Sequence, residues 1–285
     1  MKLLTKLVGE KMRIALAQIS CKRGNKKENI QKMIKYVKRA KENNADLIIF
    51  PELSITGYVL RDLIYELAEI VPDGTSTKEL EKVAKQNKIY MVFGLPEKSE
   101  KAEAVIYNTA VLVGPEGYIG KYRKMHLPTH SVFEEKRYFR PGYEISVFET
   151  EIGRIGLMIC YDVFFPEVAR LLKLKGAQLI ACISASPSVR KTFFEILTAA
   201  RAIENNSFLA YVNLVGVENG LEFWGGSRLI SPSGNIITKA EYDKEDFILG
   251  EINLKDTRHV ETFVPVLKDL RPELYEKMKT YAENM

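Results

Sequence analysis

The chain is poor in the residues that build disulfide and metal frameworks, with three cysteines, three histidines and one tryptophan among 285 residues. Cys21, Cys160 and Cys182 show no paired spacing and no C-x-x-C, which argues against a disulfide scaffold and fits a reducing compartment. His126, His130 and His259 alone give a zinc ion little to bind, so no metal is expected. Long apolar runs are lacking too. Nothing approaches the ~20 consecutive apolar residues of a membrane span, and the apolar part of the N-terminal MKLLTKLVGEK is too short for a signal peptide. A cytoplasmic protein without membrane partners is therefore expected. Charge of one sign is not clustered: 42 basic and 37 acidic residues give a net +5. They are mixed along segments such as NKKENIQKMIKYVKRAKENN, a solvated helix face and not a nucleic-acid patch. Linkers, low-complexity tracts and internal repeats are absent as well, so residues 1–285 are expected to form a single domain. Residues 1–12 would extend it before a fold that begins at Arg13, and about 255–285 would form a tail with a helix from about Arg271.

What is present is an ordinary globular composition, 46% hydrophobic and 28% charged. RIALAQI from Arg13 reads as a strand, and Ile30, Met33, Ile34, Val37 and Ala40 recur at helical spacing. ADLIIFPE follows as a buried strand, which completes a first βα unit. After two more helical stretches, IYMVFGLPE reads as a strand, and the runs flanking GPEG read as an antiparallel hairpin. Residues 124–142 mix turn formers, aromatics and charges without a period, in the manner of a functional loop. Two further βα units follow, the strand before Cys160 with its helix to Lys175 and QLIACIS with the helix VRKTFFEILTAARAIENN, and four more strands come after them with little helix between. Parallel strands rich in Val, Ile and Leu need both faces covered. The helices are too few to cover two separate sheets on both sides, so the α/β fold expected is a four-layer αββα sandwich with two mixed β-sheets face to face.

Three polar residues end apolar strands or hairpins. Cys160 closes the run RIGLMI, and Tyr161, Asp162 and Pro166-Glu167 then turn the chain into a helix. A strand-to-helix elbow of this kind aims backbone N–H groups at an oxyanion, and a helix N-terminus favours a thiolate. Taken singly, a strand cysteine is more often a small core hydrophobe, as Cys182 in LIACISA would be. Glu52 lies just beyond LIIFP, where a carboxylate is costly unless something uses it, although a loop or capping glutamate would look the same. Lys124 follows the hairpin among Lys121 and Arg123 and would pass for a surface lysine. GPEGYIGK has the wrong glycine spacing for a phosphate loop, and Lys121 precedes Tyr122 where Ser or Thr would be needed.

Together, FPELSITGY around Glu52, YRKMHLP around Lys124 and GLMICYDVFFPE around Cys160 resemble the nitrilase superfamily of carbon-nitrogen hydrolases, in that family's order. The resemblance covers Arg13 to about Asn253. It implies a Glu-Lys-Cys triad in an αββα sandwich, without metal or organic cofactor. It also implies a second active-site glutamate, for which Glu135 is preferred over its neighbour Glu134. In this reading Glu52 takes the thiol proton, Cys160 attacks an amide carbonyl, and Lys124 with a backbone N–H, that of Tyr161, stabilises the oxyanion. Tyr58, Ser184 and Ser186 are candidate pocket residues. Tyr161-Asp162 after the cysteine resembles the amidase and carbamoylase members more than true nitrilases. Phe164 stands where many relatives carry arginine. HLPTHSVFEEKRYFRPG, ISASP and YVNLVG further resemble the glutaminase domain of glutamine-dependent NAD synthetases, although the synthetase domain is missing. The expected activity is hydrolysis of a small amide or carbamoyl compound, with nitrile hydrolysis or an idle scaffold as alternatives, in a protein that forms a homodimer or higher homo-oligomer.

Overall fold

The computed structural model describes residues 11–284. Strand β1 (Lys11–Gln18) starts earlier than the expected Arg13, because Lys11 and Met12 already pair with Asn253 and Ile252 of an antiparallel neighbour. The expected extension therefore loses its last two residues to the sheet, and the rest of it lies outside the described residues. Helix α1 (Lys26–Glu42) is capped by Asn25, whose side chain accepts the Glu28 N–H. Its last turn carries Arg39 and Lys41 against the helix dipole, and Ile30, Met33, Val37 and Ala40 form its buried stripe. Next come β2 (Leu47–Ile49), a single 3-10 turn leading into the short α2 (Ile64–Leu67), and α3 (Thr75–Asn87). The first half ends with β3 (Tyr90–Lys98), β4 (Ile106–Gly114) and β5 (Gly117–Arg123).

The second half opens with α4 (Glu135–Tyr138), one helical turn inside the long loop. It continues through β6 (Val147–Thr150), β7 (Gly153–Ile159), α5 (Pro166–Leu174), β8 (Leu179–Ser184), α6 (Lys191–Ile203) and β9 (Phe208–Asn213). β10 (Val215–Glu218) and β11 (Leu221–Trp224) form a separate hairpin, followed by β12 (Arg228–Ile230), β13 (Ile236–Lys239) and β14 (Asp246–Asn253). The tail holds α7 (Lys255–Phe263) and α8 (Pro272–Glu283). The β10–β11 hairpin was not anticipated, although its turn is Asn219-Gly220 with φ of 49° and 85°, the Asn-Gly pair that tight hairpins favour.

The strands form two six-stranded mixed sheets, ordered β14-β1-β2-β3-β4-β5 and β13-β12-β9-β8-β7-β6. β1, β2 and β3 run parallel, as do β7, β8 and β9, and the flanks are antiparallel. Side chains alternate along each strand. Leu16, Ile49, Val92 and Leu112 therefore share one core with Leu157, Ala181 and Ala210 of the facing sheet. The intervening Ala15, Ala17, Ile48 and Met91 turn outward to meet Met33, Val37, Leu80 and Ala84 of α1 and α3. On the far side, Val168, Leu172, Phe194 and Ala202 of α5 and α6 cover the second sheet. The layers are thus helix, sheet, sheet and helix, the αββα sandwich expected. No helix among the described residues is long and apolar enough to cross a membrane.

Candidate active site

Glu52, Lys124 and Cys160 leave the C-terminal ends of β2, β5 and β7, so the face-to-face sheets bring their side chains to one end of the sandwich. Lys124 is fully buried and donates from Nζ to Glu52 Oε1 and to Glu135 Oε1, each at 2.7 Å. Glu52 is held from further sides. Asn108 Nδ2 on β4 donates to its Oε1 at 2.7 Å, and the Ala185 N–H donates to its Oε2 at 2.7 Å. Glu135, not Glu134, meets the lysine, and the Tyr58 hydroxyl donates to it at 2.6 Å. Glu135 Oε2 and Asn108 Oδ1 are buried without a hydrogen-bond partner among the described residues.

Cys160 adopts φ of +45°, a left-handed backbone that costs a non-glycine residue of order 1–3 kcal/mol and that the surrounding turn must enforce. It opens a 3-10 turn, Cys160–Phe164, which separates β7 from α5. The thiol thus sits at the start of that turn and not at the N-terminus of α5. Burial pushes its pKa well above the usual thiol value, and Glu52 adds to the rise against the pull of Lys124. Desolvation and a neighbouring carboxylate thus favour the thiol over the thiolate, against the general pull of a helix N-terminus, in keeping with the reading in which Glu52 takes the thiol proton. Burial opposes the charge on Lys124, yet Glu135 and Glu52 together raise its pKa well above the usual lysine value. The ammonium stays charged. Glu135 is pushed by burial, and by Glu52, up to about 7, with Lys124 and Tyr58 pulling the other way.

The remaining predicted residues fall in different places. Tyr58 bonds Glu135, and its own pKa is raised well above the usual value by burial and by that carboxylate. Tyr161 lines the cleft above Cys160 and stacks edge-on against Phe165. Ser184 contributes backbone: its carbonyl faces the Glu52 N–H at 3.4 Å, and its hydroxyl lies 3.8 Å from Cys182 Sγ. The Ser186 hydroxyl accepts from Trp224 Nε1 at 3.4 Å. The sequence reading passed over Asn108, although a polar residue opening an apolar strand was visible, and Arg190, which no motif flags. The cleft at Cys160 is narrow, about 10 Å³, and is lined by Pro128, His130, Phe133, Tyr161, Phe164, Arg190 and Phe194. A larger cavity of about 250 Å³ is lined by Tyr58 and Glu135 together with Glu134, Asn219 and Leu221, and Cys160 does not line it.

The donor set can move a proton from a thiol to a carboxylate and can meet a growing negative charge with an ammonium. Residues 13–262 match the model of the carbon-nitrogen hydrolase family. The chain is 35% identical to a probable nitrilase of Schizosaccharomyces pombe, over 94% of this chain and 98% of that one. It is 34% identical to a 2-oxoglutaramate amidase of Bacillus subtilis, over 93% and 100%. A glutamine-dependent NAD(+) synthetase of Acinetobacter baylyi is 33% identical over 93% of this chain, which spans 49% of that enzyme. Among solved structures, a point mutant of the amidase of Nesterenkonia sp. AN1, with the acetamide moiety of fluoroacetamide added covalently at its active-site cysteine, superposes with a TM-score of 0.81. That structure shares 29% identity and covers 94% of this chain and 97% of its own. The chain belongs to the carbon-nitrogen hydrolase family and is a hydrolase of carbon-nitrogen bonds.

Proposed function

We propose that this protein hydrolyses a small primary amide through a thioester on Cys160. Glu52 removes the thiol proton as the sulfur attacks the carbonyl carbon, because a thiol whose pKa is raised by burial cannot ionise unaided at neutral pH. The oxyanion forms beside the Lys124 ammonium, whose charge the two carboxylates keep in place through the reaction. Glu52 passes its proton to the departing nitrogen, ammonia leaves, and the acyl group remains on sulfur. Water, deprotonated by Glu52, then attacks the thioester, and the carboxylic acid leaves as the thiol regains its proton. Glu135 is a positioning residue, which with Tyr58 fixes the ammonium.

The observation that carries this reading is the fully buried Lys124 shared by Glu52 and Glu135 next to a strained, buried cysteine. Support also comes from the amidase of Nesterenkonia sp. AN1, modified at its active-site cysteine, and from the relative named a 2-oxoglutaramate amidase. Nitrile hydrolysis on the same triad is the second reading, favoured by the relative named a probable nitrilase. Ammonia release from a panel of amides, carbamoyl compounds and nitriles separates the two, with intact-mass measurement of the acyl-enzyme and Cys160→Ala as control. Turnover of amides with an acyl adduct confined to Cys160 is expected. An inert protein with no adduct from any panel member would leave only a scaffold of this fold.

A further inference from the structure

We propose that Glu218 is a positioning residue of this site: from the β10–β11 hairpin it grips the backbone at Tyr58, keeps the Tyr58 hydroxyl on Glu135, and so fixes the Lys124 ammonium. The inference rests on the amide-hydrolase reading above, in which that ammonium meets the oxyanion. Glu218 ends β10 and immediately precedes the Asn219-Gly220 turn. It is 7% exposed, and a carboxylate so buried is costly unless its surroundings use it. Its Oε2 accepts the N–H of Tyr58 at 2.7 Å and that of Val59 at 3.0 Å. Its Oε1 is buried without a hydrogen-bond partner among the described residues, so those amides are the groups this side chain serves. A chain of bonds then leads inward. The Tyr58 hydroxyl donates to Glu135 Oε1 at 2.6 Å, and the same oxygen accepts from Lys124 Nζ at 2.7 Å.

The chain around Tyr58 is moulded to this grip. Gly57 has φ of +79°, and a Cβ there would stand 3.1 Å from Glu218 Oε1 and 3.2 Å from Oε2 and from the Arg23 Cα. Arg23 holds the opposite polarity of the same turn, donating from Nε to the Val59 carbonyl at 2.5 Å. β11 adds a second hold. The Phe223 ring lies edge-on to the Tyr58 ring at 5.9 Å, and Phe223 is bridged to Pro187, in the loop whose Ala185 N–H reaches Glu52. The hairpin thus fixes both the backbone and the ring of Tyr58. The consequence is electrostatic. Glu135 is faced by Lys124 and Tyr58, which favour its anion, and by Glu52, which opposes it, with the Cys160 thiol within electrostatic reach of Lys124 and both carboxylates. The charged and titratable neighbours of Glu218 are Arg23 and Cys21. When Tyr58 leaves Glu135, the anion loses a donor and its pKa must rise.

The test follows the acid limb of kcat/KM against pH with propanamide as substrate. Glu218→Ala releases both amides, and Glu218→Asp is one methylene too short to reach them. Each should move the limb upward from about pH 7 by about one unit, the scale of one lost hydrogen bond to a charged group. At pH 7 such a shift lowers kcat/KM about fivefold and spares the alkaline plateau. Glu218→Gln keeps a carbonyl oxygen for both amides and should hold the limb in place. Tyr58→Phe should give the same shift as Glu218→Ala, and the double variant no more than either, because both changes remove one contact. Carbon-13 NMR of protein labelled at the glutamate carboxyl, with Glu135 assigned by its absence from Glu135→Gln, follows the same titration without turnover, and circular dichroism confirms folding. A residue that only braces the fold would lower Tm and leave both titrations where they were; that result in folded Glu218→Ala or Glu218→Asp overturns the proposal. If propanamide and the panel above release no ammonia but Glu135 titrates higher in the Glu218 variants, the positioning role stands and the amide-hydrolase reading falls.

Discussion

The Tyr122 hydroxyl donates to Asp162 Oδ2 across 2.7 Å, and this contact ties the strand that delivers Lys124 to the turn that carries Cys160. The same buried carboxylate accepts the N–H of Ile159 at 3.2 Å and that of His126 at 3.0 Å. Two residues on either side of Lys124 and the residue before Cys160 therefore converge on one side chain. Ammonium and thiol keep their relative placement through Asp162, although Asp162 bonds neither of them.

Asp162→Ala should consequently damage activity and stability together. It leaves a buried hydroxyl and two N–H groups unpaired, at about 1–3 kcal/mol for each group that water cannot reach. Thermal denaturation should show a clear drop in Tm, and kcat/KM should fall with it. Tyr122→Phe removes one donor and should have the milder effect on both. Wild-type turnover in a folded Asp162→Ala would show that the elbow holds itself.

This carboxylate also illustrates how much was legible beforehand. The sandwich and the polar ends of its apolar strands could be read because alternation and strand-end placement are local properties of the sequence. Glu52 and Cys160 drew attention at strand ends for that reason, and the three motifs taken together, by their resemblance to the family, promoted them and Lys124 to site residues. Asn108 and Arg190 drew none, because their places in the site depend on which strand or turn lies beside them in space. The choice between Glu134 and Glu135 depended on the rotation of one helical turn, which two adjacent residues of the same type cannot reveal. The β10–β11 hairpin is readable from Asn219-Gly220, between the strands SFLAYVNLV and GSRLISP, and its two strands of four residues each are too short to stand out by alternation.

Removing the shared ammonium should cost folding as well as catalysis. Lys124→Met strands two carboxylates in a site with 0% and 4% exposure, and breaking a buried pair in this way costs about 3–5 kcal/mol. Activity should fall by at least the ~10²–10³-fold that follows loss of one oxyanion donor. Adding Glu135→Gln to Lys124→Met removes one stranded charge, so the double variant should regain part of its Tm and none of its turnover. Urea denaturation of both variants, followed by ammonia assays, checks this. A double variant that melts below the single one would contradict the charge argument.

The pH dependence follows from Glu135, whose pKa burial and Glu52 push from an ordinary 4.5 up to about 7. Above that pH it is an anion that holds Lys124, and below it the group is neutral. The kcat/KM profile should therefore rise through about pH 7 to a plateau. Glu135→Gln, with no proton to exchange there, should lose that limb while falling in absolute rate. Stability follows the opposite sign. Because the folded pKa is the higher one, the contribution of this group is full below about pH 4.5 and declines toward pH 7. A profile with the same limb in Glu135→Gln would assign the titration to another group.

Self-association is expected from the apolar side chains left on the outer helical layer and the tail. Leu174, Ile196 and Phe263 are 54%, 63% and 72% exposed, an arrangement that a second copy of the chain would cover. Sedimentation at micromolar concentration should show a dimer or larger. Ile196→Glu with Phe263→Glu should shift it to monomer, and a monomeric wild type would dispose of the idea.

Gly94 sets the position of Glu52 through absence of a side chain. It lies within β3, and a Cβ there would come within 2.4 Å of Leu53 N and 3.1 Å of the Glu52 Cα and carbonyl carbon. Those are backbone atoms, which cannot swing aside as a side-chain tip would, so Gly94→Ala has to move the segment that carries the general base. Overpacking of a core commonly costs about 1–3 kcal/mol, and a misplacement of about 1 Å at a catalytic group can cost about 10²-fold in rate. Gly114→Ala provides the comparison. Its Cβ would meet the Tyr90 ring at 2.7 Å, at the opposite end of β4 from Asn108. Both variants should melt earlier than wild type, but only Gly94→Ala should lose specific activity per folded molecule, measured by active-site titration of Cys160. Equal specific activities would mean that the side-chain contacts with Lys124, Asn108 and the Ala185 N–H suffice to hold the Glu52 carboxylate and that its backbone can shift without consequence.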